Sequence, residues 1–310
     1  MFAISIVAFA IKDSLGDPVR ELVGENVSQA ERTELREQLG LDDPIAVQYG
    51  RFALNMLQGD LGTSYIFRKP ALSVILSKFS ATFELVLAAA LIVALVSIPA
   101  GIYCAIRPRS WLARLIMGVS VLGISVPIFL TGIFLITIFS VELGWLPSFG
   151  RGDTVTIGGW ETGLLTADGL SHLVLPAITL SSIMLPLFIR LVRGQMIDVL
   201  GEDFVRTAWA KGLSPWRVWI VHALRNAAIP LITLGGLQIG TLLAYTILTE
   251  TVFQWPGMGF MFLDAVNRAD VPLIIAYVVV VGVIFVTVNT LVDILYVLVD
   301  PRVSLGVRST

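Results

Sequence analysis

Five apolar stretches decide what this chain can become. They cover residues 82–106, 115–143, 173–191, 229–252 and 272–299. Each meets the roughly 20 residues a helix needs to cross a hydrocarbon core about 30 Å thick, the third only just. In lipid every backbone polar group must be satisfied inside the segment, so these stretches are predicted to be membrane-spanning helices. A sixth run, 1–11, is too short to cross alone at about 1.5 Å per residue. It reads as the second half of a span: either the first half lies upstream or the helix is partial. No basic region precedes it, so it is not read as a secretory signal.

Composition points the same way. Of 310 residues, 56% are hydrophobic and only 14% charged, against about 25% charged in soluble domains. A globular soluble enzyme is excluded. The formal net charge of −2 gives no footprint for nucleic acid. The single cysteine, Cys104, lies in an apolar run and has no intrachain partner for a disulfide.

Basic residues set the orientation. Arg107, Arg109 and Arg114 crowd the connection after the first full span. Arg190, Arg193, Arg206, Lys211, Arg217 and Arg225 crowd the one after the third, and Arg302 and Arg308 follow the last. The alternate short connections carry Arg151 and Arg268. The basic side is therefore expected to be cytoplasmic, and residues 12–80 to lie outside. In that external segment, Ser28-Gln29-Ala30-Glu31 forms a capping-box pattern for a helix that Gly40 closes. Asp43-Pro44 is expected to open a second helix, with Asp43 as cap and Pro44 in the first turn. It carries Ile45, Tyr49, Phe52 and Met56 and ends near Gly59. The glycine-rich connection 144–171 reads as an irregular external loop.

The most distinctive stretch is polar and lies between two spans. It runs Glu202-Asp203-Phe204-Val205-Arg206-Thr207-Ala208-Trp209-Ala210-Lys211-Gly212-Leu213-Ser214-Pro215-Trp216, then His222-Ala223-Leu224-Arg225-Asn226 and Pro230. Asp198, Glu202 and Asp203 suit the positive end of a helix dipole, and Arg206 and Lys211 the negative end. Gly212 is the expected C-terminal cap. Ser214-Pro215 starts a second short helix through about Asn226. Ala208 and Ala210 are small enough for close approach by another protein, beside the large Phe204 and Trp209. Two readings follow from the residues: a knob that docks in a cleft on a partner, or an amphipathic connection in the headgroups with Trp216 and Trp219 as anchors.

The spans also carry material for a translocation path. Ser125, Pro127 and Thr131 interrupt one span; Thr233, Gly235, Gly236, Gln238, Gly240 and Thr241 run through another. Gln238 is costly against lipid and should face the interior. The alternative is close helix packing alone. Glu250 either lines an outer gate or anchors the external turn. Asp293, the deepest carboxylate, is expected to pair with an arginine or a backbone amide. No phosphate-binding Gly-x-x-x-x-Gly-Lys-Ser/Thr loop and no His-Glu-x-x-His or Cys-x-x-Cys occurs. No metal site is expected. His172 reads as an interfacial residue and His222 as a structural one that bonds a carbonyl or a neighbour.

The pattern Glu-Asp-Phe-Val-Arg-Thr-Ala-x-Ala-Lys-Gly-Leu-Ser at 202–214, with its downstream His222, Asn226 and Pro230, resembles the cytoplasmic coupling loop of binding-protein-dependent ABC importer permeases. It looks like the dipeptide/oligopeptide branch, first permease subunit type. The general family pattern is Glu-Ala-Ala-x-x-x-Gly; Arg206-Thr207-Ala208 stands for its first three residues and Gly212 for its glycine. The resemblance extends to Gly16-Asp17-Pro18, Gly59-Asp60-Leu61-Gly62-Thr63-Ser64 and Leu175-Pro176-Ala177. It also takes in Thr249-Glu250-Thr251-Val252-Phe253, Trp255-Pro256-Gly257, Gly259, Asp293, Tyr296 and Asp300-Pro301-Arg302. The short first span departs from the family.

The resemblance implies an all-α polytopic protein of about six spans with the type I ABC importer permease fold. Its parts would be a partial first span over 1–11, an external helical segment over 12–80, and the importer domain over 81–310 with its coupling loop at about 198–226. Glu202, Asp203, Arg206, Thr207, Ala208, Ala210, Lys211, Gly212 and Leu213 would dock on a cytoplasmic ATPase subunit. The implied partners are a second homologous permease, two ATP-binding subunits and an external substrate-binding protein. The chain would bind no cofactor, ATP and magnesium being held by the ATPase subunits, and would catalyse no covalent chemistry. The implied function is ATP-driven uptake of di- or oligopeptides across a bacterial inner membrane. Nickel, glutathione or a sugar are alternative cargoes within the same machinery. An ion-coupled carrier and a structural membrane scaffold are the rival classes.

Overall fold

The computed structural model describes residues 2–14 and 43–299, with the side chains of 11–14, 124 and 295–299 outside the description. The Gly16-Asp17-Pro18 motif, the capping box at Ser28–Glu31, Gly40 and Asp300-Pro301-Arg302 lie outside the described residues, as does the Tyr296 side chain.

The elements in order are α1 (Phe2–Ser14), α2 (Ile45–Leu57), α3 (Ala71–Ile106), α4 (Trp111–Ser125) and α5 (Ile128–Leu135), which runs into π-helical turns over Ile136–Glu142. Then come β1 (Val155–Ile157), β2 (Trp160–Thr162), α6 (Ala167–Leu200) and α7 (Asp203–Ala210). A π-helical stretch over Arg217–Leu224 leads into α8 (Arg225–Val252), followed by α9 (Met258–Asn267) and α10 (Val271–Val299). Among the described residues four helical stretches are long and apolar enough to cross a membrane: Ala71–Ile106, Ala167–Leu200, Arg217–Val252 and Val271–Ile294. A fifth comes from the bent pair Trp111–Gly123 and Ile128–Glu142.

Several details differ from the sequence expectations. The second apolar stretch is broken, with its halves bent by 113°. Val126 is extended at φ −92°, ψ 122°, because the ring of Pro127 disfavours the helical conformation in the residue before it. The expected cap of α2 is absent. Pro44 occupies the cap position, and the Asp43 carboxylate instead pairs with Arg51 at 2.7 Å. The connection 144–171 is not wholly irregular. It holds a hairpin with Val155 opposite Thr162 and Ile157 opposite Trp160. Gly158 and Gly159, at φ +57° and +85°, supply the two positive-φ positions of a tight hairpin turn. α6 is far longer than its apolar core, about 51 Å at 1.5 Å per residue. It therefore reaches well beyond the hydrocarbon.

The chain divides into two compact units. The first comprises 1–82 and 256–286. In it α1 rests on α2, with Ser5 Oγ and Tyr49 OH 2.8 Å apart and Phe9 edge-on to Tyr49. The turn that follows Gly59 is tied to the start of α10 by Asp270. This wholly buried carboxylate accepts from Ser64 Oγ at 2.5 Å and Ile66 N at 3.1 Å, and caps α10 through Leu273 N at 3.3 Å. Thr82 Oγ1 accepts from Met258 N, and Phe262 stacks on Tyr277.

The second unit comprises 83–255 and 287–310. α6 is its centre, packed against α4, α5 and α8. Gly132 lets α5 approach Thr179, Val252 and Phe253 closely, the small-residue contact that helices use where lipid gives no hydrophobic drive. One buried cluster joins Ile102 of α3, Val192 and Met196 of α6, and Ala223, Ala227 and Leu231.

Candidate functional site

The polar stretch after α6 folds as a rigid knob. The backbone turns at Gly201 and Glu202, the latter extended at φ −72°, ψ 152°. Asp203 opens α7, where its charge suits the positive end of the dipole. It pairs with Arg206 at 3.1 Å, both side chains in the open. Asp198, expected with these two, lies instead in the last turn of α6. α7 closes on Gly212. The Gly212 N–H donates to Trp209 O at 2.9 Å and the Leu213 N–H to Ala208 O at 3.3 Å. Gly212 stands at φ +73°. Together these bonds form a Schellman cap, whose left-handed position favours glycine.

The inner face of α7 is apolar. Val205 and Ala208 are buried with Val218 of the π-helical stretch, and Val199, Leu200, Leu213 and Trp219 pack around them. Ala208 therefore provides close approach inside the knob, whereas the sequence reading put it at the tip. Leu213 is the hydrophobic contact that completes the Schellman cap. Trp219 is half-buried against the same cluster, so only Trp216, 67% exposed, is free to act as an anchor in the headgroups. The second short helix does not end near Asn226. It runs through the π-helical stretch into α8 as one continuous rod from Arg217 to Val252, and α7 packs on the start of that rod through Val218.

What remains on the outer face is Glu202, Asp203, Phe204, Arg206, Thr207, Trp209, Ala210, Lys211 and Gly212. Phe204 and Trp209 are 42% and 43% exposed, two large apolar groups on a charged surface. Such a mixed patch on a rigid support is suited to a partner protein, because buried aromatic anchors carry most of the energy of an interface.

Of the path residues, Gln238 and Gly235 line a cavity. A cavity of about 390 Å³ lies between α3, α6 and α8 with apolar walls, and Gln238 and Ser97 line it. Ser125 is exposed at the break after α4, while Thr131 and Thr241 are half-buried and do not line the cavity. Glu250 is wholly buried, and its carbonyl accepts from Trp255 N at 2.8 Å in the turn after α8. Asp293 is exposed, with no arginine or amide partner among the described residues.

His172 lies beside Asp168, its Nδ1 2.8 Å from the Asp168 carbonyl. The His222 ring has no hydrogen bond among the described residues; the His222 carbonyl accepts from Asn226 Nδ2 at 2.7 Å. No group of three metal-ligating side chains occurs among the described residues.

The sequence reading missed one site. Glu84 of α3 is buried against Arg151, whose Nη2 donates to Glu84 Oε2 at 2.9 Å and to the carbonyl of Glu161 at 2.8 Å. Arg151, the single basic residue of the connection 144–171, was its sequence signal.

A family model described as binding-protein-dependent transport system inner membrane component matches residues 97–305. The di/tripeptide transport system permease protein DppB of Pseudomonas aeruginosa (strain UCBPP-PA14) is 43% identical over 316 residues, covering 97% of this chain and 94% of that protein. The dipeptide transport system permease protein DppB of Escherichia coli (strain K12) is 40% identical, covering 97% and 94%. The glutathione transport system permease protein GsiC of Shigella flexneri serotype 5b (strain 8401) is 38% identical, covering 98% and 94%. Among solved structures, an inward-facing MetNI methionine ABC transporter aligns with a TM-score of 0.57 at 16% identity, covering 74% of this chain and 98% of that one. That likeness concerns the fold.

Proposed function

We propose the cargo and the assembly of this chain from one premise: it belongs to the family of binding-protein-dependent transport system inner membrane components. It is an inner-membrane permease subunit of an ABC importer, and it works with ATP-binding subunits and a substrate-binding protein. The cargo is a di- or oligopeptide. The assembly pairs this chain with a second, homologous permease and two ATP-binding subunits. The chain performs no covalent chemistry and holds no cofactor; ATP and magnesium belong to the partner subunits.

The observation that supports the cargo is the 43% identity to a di/tripeptide permease across 97% of the chain. The coupling role rests on the knob. Glu202, Asp203, Arg206, Thr207, Ala210, Lys211 and Gly212 present the docking face, with Phe204 and Trp209 as anchors. Ala208 and Leu213 hold that face on the rod. When ATP draws two ATP-binding subunits together, each pulls its docked knob. Because α7 is packed on the rod that becomes α8 and on the end of α6, the spans move as rigid bodies. Alternating access then follows from movement imposed outside the membrane.

The test is uptake by proteoliposomes that hold the complex purified from its native membrane, with its substrate-binding protein added. ATP-dependent accumulation of a labelled dipeptide is the expected result. Accumulation of glutathione or nickel in its place would reassign the cargo. Uptake driven by an ion gradient without ATP would overturn the mechanism.

A further inference from the structure

The cavity between α3, α6 and α8 has two polar groups in an apolar wall. Ser97 is 1% exposed, and its Oγ has no hydrogen-bond partner. Ser120, Ser181, Ser182 and Thr246, also in helices of this unit or its spans, each donate to a carbonyl three or four residues back. Ser97 makes no such bond. Gln238, half-buried, lines the same cavity and makes no side-chain hydrogen bond among the described residues. A buried polar group without a partner is costly, and more so in a membrane.

The cavity is also well placed. Gln238 lies about 20 Å along α8 from Arg225 and about 21 Å from Val252, at 1.5 Å per residue. That is the middle of the span, the depth at which membrane transporters hold their substrates. Its volume of about 390 Å³ falls within the roughly 300–1,000 Å³ of small-molecule sites. A lipid chain fits such walls but offers nothing to Ser97 or Gln238. A peptide offers both an apolar side chain and main-chain N–H and C=O groups beside it.

We propose that this cavity receives an apolar side chain of the translocated peptide, with Ser97 and Gln238 bonding the peptide main chain. The proposal rests on the peptide-importer reading above. The permease thereby favours peptides with large apolar side chains during transit, in addition to whatever selection the binding protein makes.

Two measurements on the full complex test it. In the first, a dipeptide with a benzophenone side chain is photolysed with the wild-type complex, and adducts are mapped by mass spectrometry. Adducts on Met184, Phe188 or Ile232, which line the cavity, are expected. Adducts confined to other residues would overturn the proposal, as would labelling of these three by a photoreactive phospholipid while the dipeptide leaves them untouched. In the second, Ala94→Leu and Ala228→Leu each fill the cavity from a different helix. Uptake of Leu-Leu relative to Gly-Gly, measured in the same preparation, is expected to fall about tenfold or more. An unchanged ratio would contradict the proposal. A ratio needs only residual activity, and the photolysis needs no variant. If the wild-type complex accumulates neither peptide, the peptide reading itself has failed and this proposal falls with it.

Discussion

Arg151 donates to Glu84 across 2.9 Å, with side chains only 6% and 2% exposed. The pair joins residues 67 positions apart in sequence and fixes the connection after α5 to α3. Arg151 also holds the carbonyl of Glu161 in the second strand of the hairpin, so one guanidinium positions both. Removing one partner leaves the other charge buried. Arg151→Met is expected to cost about 3–5 kcal/mol, read as a fall in thermal stability of the detergent-solubilised chain. The double variant Glu84→Leu/Arg151→Met should recover most of that loss. A double variant as unstable as the sum of both single changes would rule out this pairing.

Gly236 of α8 faces Val292 of α10, and a Cβ built on it would overlap both Val292 methyl groups. Gly236→Ala is therefore expected to destabilise by about 1–3 kcal/mol, and Val292→Ala in the same chain to restore part of it. A double-mutant cycle on unfolding temperature reads this directly. Additive losses would show that the two helices do not meet there.

Gly212 gives a sharper discrimination, because space and backbone separate cleanly. A Cβ there meets nothing within 4 Å, yet the backbone stands at φ +73°. Gly212→Asn should retain the ATP-binding subunits and coupled uptake, because asparagine tolerates the left-handed region. Gly212→Val should disturb the Schellman cap and uncouple ATP hydrolysis from uptake, while membrane insertion survives. Normal coupling in Gly212→Val would sink the docking role of that turn.

Asp270 closes the turn at 62–66 while capping α10. Asp270→Ala is expected to lose about 0.5–2 kcal/mol from the cap alone. It should also open that turn to protease, visible as new cleavage between Gly62 and Lys69 in right-side-out vesicles. Unchanged cleavage would show that the loop is held by other contacts.

Much of this was legible in sequence because it is local. Hydrophobic length placed the spans, and a glycine after an amphipathic segment placed the Gly212 cap. The residue before a proline explains the break at Val126. What sequence did not yield depends on partners far along the chain. Ala208 looked like a tip residue until Val218 was found to cover it. Glu84 and Arg151 stand 67 positions apart, so nothing local to either one signals the pair. The hairpin at 155–162 was hidden because its strands are only three residues each and lie in a glycine-rich loop. The second short helix was expected to end near Asn226, yet it continues into α8, which carries Pro230 inside it.

The most direct measurement is co-purification from the native membrane in mild detergent, with a tag on this chain and mass spectrometry of what accompanies it. The wild type should bring down ATP-binding subunits and a second permease. Phe204→Asp/Trp209→Asp, which alters only the exposed face of the knob, should lose the ATP-binding subunits and keep the second permease. A wild-type chain that comes down alone, or a variant that retains its ATP-binding subunits in full, would contradict docking at this knob.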